Sequence, residues 1–225
     1  VKFDQNSANK TADTLKSDVL TTLTNYNANT LSQFDGVFRY SKVTGLIDNT
    51  DSSILSNITT LKIRKDFTPT LTSSTKYNVY FRNSLHNPHS GHNSVAGGIL
   101  ESSGFKVSGD STSVFYLDDD GQGNVRRYSF SGATRVYTAS NQGTIDYDTG
   151  AITINSLSVL SVENIRGAAS SKIELTVVPS SNDVVPVRDQ ILEIDTANSS
   201  ITVTADTFVG GSADAGVGYT TTSSY

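Results

Sequence analysis

The amino-acid sequence predicts an α+β fold: an N-terminal helix pair followed by a β-rich body of mostly antiparallel strands and hairpins. Three observations predict it. Apolar residues recur at helical spacing before residue 50, they alternate after residue 60, and Ser, Thr and Asn outnumber charged residues at polar positions.

Leu15, Val19, Leu23 and Tyr26 recur at spacings of four, four and three, which places them on one face of a first helix. Thr11 or Asn9 supplies its N-cap. A second helix is expected from about Leu31, with Phe34, Val37, Phe38 and Ser41 on one face. It weakens at Gly45 and ends in the turn formers of 47–53. The period then changes to two. Leu61 and Ile63 alternate with Thr60, Lys62 and Arg64 until Pro69 closes the strand. Tyr77, Val79 and Phe81 alternate with Asn78, Tyr80 and Arg82 in the next. Residues 113–130 read as two strands around an Asp/Gly turn. Further strand runs follow at 134–139, 143–155, 172–178, 190–195 and 200–208, with Asp148, Thr149 and Gly150 at a tight hairpin turn. The organisation expected is a helix–helix–strand segment over 1–70, a β-rich body over 71–209, and a flexible Gly/Ser/Thr tail over 210–225.

Composition excludes several function classes. A net charge of −5 gives no basic field for nucleic acid or an anionic membrane surface. No apolar run approaches the roughly 18 residues that a membrane span needs. Without cysteine there is neither a disulfide nor thiolate chemistry. The chain also lacks methionine, so a fragment or a processed product is expected.

Three histidines, His86, His89 and His92, lie three residues apart in one stretch, LHNPHSGH. Three imidazoles can ligate zinc, but such sites need a rigid scaffold and partners that orient each ring. Pro88 and Gly91 argue against a helix here, and the nearest acidic residue is Glu101. A hydrogen-bonding surface loop, or a contact with another subunit, is therefore preferred over a metal site. The run Asp118, Asp119, Asp120 begins like a calcium loop, yet the twelfth position is Ser129 instead of glutamate, so a hairpin turn is expected. Phosphate-cradling and nucleophile-elbow motifs are absent. Lys62 and Arg64, and the run VRRYSF, read as solvated strand faces. No catalytic residue, cofactor-binding residue, metal ligand or cofactor is assigned, and the chain is not expected to be an enzyme.

Phe34, Phe38-Arg39-Tyr40-Ser41, Leu46-Ile47-Asp48, Asp51 and Ser56-Asn57-Ile58-Thr59 together resemble the helix–helix–strand segment of a known family. It is the ring-forming baseplate wedge subunit, the gene product six family, of T4-like contractile-tailed bacteriophages. The stretches NPHSGH, YLDDDGQGNVRRY, GTIDYDTGAITIN and DVVPVRDQILEID are similar to the C-terminal part of the same family, so the likeness spans about residues 15–205. The resemblance implies the C-terminal portion of a longer structural subunit, present in the virion tail and assembled in the host cytoplasm. It further implies a homodimer or ring of identical subunits bound to other wedge proteins. A β-rich adhesin or carbohydrate-binding domain is the alternative, followed by a metal-dependent hydrolase built on His86, His89 and His92.

Overall fold

The computed structural model describes residues 1–94, 98–187 and 190–206. In chain order the elements are β1 (Lys2–Phe3), α1 (Ala12–Tyr26), α2 (Tyr40–Asp48), β2 (Ile54–Ser56), β3 (Ile63–Phe67), β4 (Thr75–Tyr80), β5 (Glu101–Ser102) and β6 (Phe105–Val107). They continue with β7 (Asp110–Asp119), β8 (Asn124–Ser131), β9 (Thr134–Asp146), β10 (Ala151–Leu157), β11 (Val159–Val162), β12 (Ile173–Val177) and β13 (Thr204–Ala205). The chain divides into two compact units, one of Val1–Thr60 with the described residues from Val185 onward, the other of Leu61–Val184.

The first unit holds both helices. The Thr11 hydroxyl accepts from Thr14 N at 3.2 Å and caps α1, and Asp13 complements the positive end of the helix. Leu15, Val19, Leu23 and Tyr26 are all buried, as their spacing requires. Beyond Tyr26 the backbone loosens into a π turn over Asn27–Leu31. The second helix begins at Tyr40, later than the expected start near Leu31. The cause is local. Asp35 sits at φ 63°, Gly36 N bonds back to Gln33 O, and Gly36 lies so close to the Leu31 carbonyl that a Cβ there would overlap it. Phe34 is consequently 84% exposed, whereas Phe38, Val43 and Ile47 are buried. A three-stranded sheet in the order β13–β1–β2 completes this unit, with β1 parallel to β13 and antiparallel to β2.

The strand expected at 190–195 does not form. Its Ile194 N–H donates to the Asn27 side chain at 2.7 Å, so a polar side chain replaces a ladder partner. Of the run at 200–208, only Thr204–Ala205 is a strand among the described residues. Phe208 and the expected tail at 210–225 lie outside them.

The second unit contains a seven-stranded sheet, β11–β6–β7–β8–β9–β10–β4, and a three-stranded sheet, β3–β12–β5. Every pairing in these two sheets is antiparallel. Phe105, Leu117, Val125, Ile152 and Ile154 of the larger sheet share one core with Ile173, Leu175 and Val177 of β12. The runs expected at 134–139 and 143–146 merge into the single strand β9, and register shifts between Val125 and Tyr128 on β8 absorb the mismatch. β4, carrying Lys76, Asn78 and Tyr80 on its exposed face, is one edge of the larger sheet.

Candidate functional site

Two sequence-singled segments, the aspartate hairpin and the histidine loop, meet in the second unit. Asp118, Asp119 and Asp120 close β7 at the turn into β8. Asp120 makes the turn itself, accepting from Gln122 N at 2.8 Å, Asn124 N at 3.0 Å and the Asn124 amide at 2.7 Å. Burial pushes its carboxyl up, but the Asn124 and Gln122 hydrogen bonds and the Arg126 charge outweigh it and leave the group below the usual range. The expected hairpin is therefore present, and the side chain that resembles a calcium ligand is occupied by backbone donors.

Asp118 and Asp119 are fully buried on opposite faces of the strand. Asp118 accepts from Arg126 Nε at 2.9 Å, Arg135 Nη1 at 2.8 Å and the Tyr137 hydroxyl at 2.8 Å. Each guanidinium also lies over an aromatic ring, Arg126 4.3 Å from Tyr137 and Arg135 4.5 Å from Tyr128. Tyr116, Tyr128 and Tyr137 are successive cross-strand partners, and Phe130 packs against the first two. Burial, opposed by the Arg135 charge, pushes the Tyr128 phenol up to about 12. Asp119 instead accepts from Ile99 N at 2.7 Å, Leu100 N at 2.8 Å and the Tyr147 hydroxyl at 2.6 Å. Gly98, at φ 53°, packs directly on this carboxylate, where a Cβ would overlap it. Burial first, and then the bond to Asp119, raise the Tyr147 phenol.

The histidine loop docks on the hairpin turn. Gly91 N donates to Gly121 O at 2.8 Å, and the Asn87 amide donates to the same carbonyl at 3.1 Å. His86 N bonds Val178 O at 2.9 Å, and the buried Asn93 amide bonds His86 O at 2.7 Å. His92 N closes a turn onto His89 O at 3.0 Å. The three rings gather together, His92 lying 5.2 Å from His86 and 4.9 Å from His89 between centroids, edge to face. Among the described residues, no group of three or more His, Asp or Glu side chains is arranged to hold a metal ion. The basic spots are occupied as well. Lys62 pairs with Glu101 at 2.6 Å, Arg64 pairs with Glu174 at 2.9 Å, and Arg127 lies 5.2 Å above the Phe115 ring.

The first unit presents a different surface. Asn57 anchors the segment after β2, donating to Asp48 Oδ1 at 2.6 Å and Thr44 O at 3.1 Å, while Tyr40 reaches Thr59 O at 2.8 Å. These bonds hold Ile58 94% exposed and Leu55 49% exposed. Asp51 accepts from Ser53 N and Ser53 Oγ and pairs with Lys10 at 3.0 Å, which lowers its carboxyl to about 2. Comparison with protein families matches residues 1–66 to the model described as baseplate structural protein gp6, C-terminal domain III. Over residues 1–66 the chain is similar to a gp6-type baseplate domain.

The gp6-type match covers β1, α1, α2, β2 and most of β3, and it includes Phe34, Phe38, Tyr40, Asp48, Asp51 and Asn57. It likens the N-terminal segment of the chain to a domain of a phage baseplate structural protein. The stretches at 87–92, 116–128, 143–155 and 183–195 lie beyond the matched segment. No curated protein matches the chain. Sequence reading found the aspartates and the histidines but missed the groups that hold them. Arg135, Tyr137 and Tyr147 are 17, 19 and 28 residues from their carboxylate partners, and only the Asp118/Arg126 pair across the hairpin was near enough to suggest itself.

Proposed function

We propose that this chain is a non-enzymatic subunit of the wedge of a contractile phage tail baseplate. It associates with a second copy of itself, and with other wedge proteins, to close the inner ring around the tail hub. Assembly in the host cytoplasm precedes its place in the virion. The observation that carries this reading is the gp6 match over residues 1–66. Phe34, Leu55 and Ile58 support it. Large side chains held in solvent by a hydrogen-bonded scaffold are what an assembly surface needs. A twofold dimer is the commonest self-complementary arrangement, and a stable one buries upwards of about 1,000 Å².

Co-expression with the other wedge proteins of the same phage tests the proposal. The expected result is co-purification as a stoichiometric complex, with light scattering reporting a dimer or larger species for the chain alone. Ile58→Asp is expected to weaken this association while leaving the circular dichroism unchanged. A monomer at every concentration, with no capture of any wedge protein, overturns the proposal.

A further inference from the structure

Strand β4 carries a row of main-chain groups that its own sheet does not pair. It bonds to β10 on one side, and among the described residues no strand pairs with the other side. Phe81 N, directly after β4, donates to Gly150 O, directly before β10, at 2.8 Å. Main-chain groups alternate in direction along a strand. Those of Tyr77 and Val79 therefore face β10, and those of Lys76, Asn78 and Tyr80 face away. The Tyr80 carbonyl shows this directly, because it accepts from Lys65 Nζ of β3 at 2.7 Å, outside the ladder.

The other edge strands of this unit are guarded. At β11, Thr72 N donates to Val159 O at 2.7 Å, and Leu71 forms a parallel bridge to Val159. β3 carries Arg64, Lys65 and Asp66 in succession, and β5 is only Glu101–Ser102. Charge, shortness and cover are the usual means of keeping an edge from pairing. β4 has a single charge, Lys76, and no proline, and its register with β10 is regular from Tyr77 to Tyr80. On its outer face Lys76 and Asn78 are exposed, and Tyr80 is 51% exposed.

We infer that this edge pairs with the same edge of a second copy, antiparallel and centred on Asn78, which rests on the self-association proposed above and gives it a surface. The register follows from the groups that must meet. Only outward-facing residues can exchange hydrogen bonds across the new ladder, so Lys76, Asn78 and Tyr80 lie opposite members of the same set. A twofold axis at Asn78 uses all three. Asn78 faces Asn78 of the second copy, and each Lys76 faces the other copy's Tyr80. Two bonds at each opposed pair give about six in all. The Tyr80 carbonyl keeps a lone pair for this beside the bond from Lys65. The side chains are complementary in the same register. Each Lys76 ammonium meets a Tyr80 ring instead of its own like charge, and the two Asn78 amides meet each other. That self-complementarity selects a second copy as the occupant. One strand pair is smaller than a standard interface, so the association is weak and concentration-dependent.

The test is amide hydrogen exchange on the full chain at low and high concentration, paired with sedimentation equilibrium. The expected result is protection of the Asn78 and Tyr80 amides that appears as the dimer forms, while Tyr77 and Val79 are protected throughout. Asn78→Pro removes an N–H that points away from β10, a place where an edge strand accepts proline. It is expected to weaken dimerisation by about tenfold or more, with protection of Tyr77 and Val79 showing that β4 is still folded. Tyr80→Lys sets like charges opposite each other and weakens the dimer several-fold, and adding Lys76→Glu restores it. Protection at Asn78 and Tyr80 that ignores concentration, a dimer unaffected by Asn78→Pro, or a charge swap that restores nothing overturns the inference. Protection of these amides by another protein, with the chain alone monomeric, also overturns it, since the occupant is then not a second copy. A dimer lost in Ile58→Asp but kept in Asn78→Pro removes the edge pairing and leaves the assembly reading standing. An edge dimer without capture of any wedge protein counts against the wedge role and leaves the edge pairing standing.

Discussion

At the scale of single residues, the two buried aspartates show how neighbouring identical side chains take different roles. Asp118 faces the aromatic side of the strand and pairs with both Arg126 and Arg135, whereas Asp119 faces the other way and accepts from two backbone N–H groups. Removing one partner of a buried ion pair leaves uncompensated charge. Asp118→Ala is therefore expected to destabilise the protein by about 3–5 kcal/mol in urea unfolding. Asp119→Asn keeps an oxygen for Ile99 and Leu100, so its cost is expected to be only about 1 kcal/mol. Equal losses from the two substitutions would contradict this division of roles. Asp51 provides the acid-sensitive case. Hydrogen bonds from Ser53 and the Lys10 pair lower its folded value to about 2, below the unfolded value. A depressed carboxylate contributes stability above its unfolded pKa and loses that contribution as pH falls through its folded pKa. Unfolding followed between pH 5 and pH 2 is expected to show this decline, and Asp51→Asn is expected to flatten it. An unaltered acid dependence in that variant would exclude the role.

At the scale of elements, α1 is a case where local sequence and final structure agree. Its cap, its first-turn acid and its buried face are all contained within residues 11–26. Thr11→Ala is expected to cost about 1 kcal/mol, measured by urea unfolding, because it removes the acceptor of Thr14 N. A loss that serine at position 11 fails to restore would point to another cause. The second helix is the opposite case. Phe34, Val37, Phe38 and Ser41 do fall at helical spacing, but the dipeptide Asp35-Gly36 turns the chain and leaves Phe34 in solvent. Periodicity counts apolar positions and is blind to a single residue at positive φ. The strand expected at 190–195 failed for a related reason. Its alternation is real, yet Asn27 supplies the hydrogen bond that a neighbouring strand would have made.

At the scale of the whole molecule, the core of the second unit lies entirely between Val79 and Val177. Its larger sheet is built from strands drawn only from residues 75–162, and its smaller sheet from 63–177. Residues 61–184 expressed alone are thus expected to fold, with a single cooperative urea transition and the β-type circular dichroism of the full chain. A broad transition without a baseline would show that the first unit is required.

The sequence by itself determined the α+β class, the buried face of α1, the alternation of the sheet strands, both hairpin turns, and the resemblance that the match over residues 1–66 bears out. These are short-range properties, set by side-chain periodicity and turn chemistry within about twenty residues. Tertiary structure alone decided where the second helix starts, which face each aspartate serves, and how the three histidine rings meet. Each of those depends on partners distant in the chain or on one backbone angle. Arg135 and Tyr147 reach the aspartates only once the strands are paired, and the histidine loop takes its shape from Val178 and Gly121. Pairing across the sheet is a long-range choice, and no local pattern of residues encodes it.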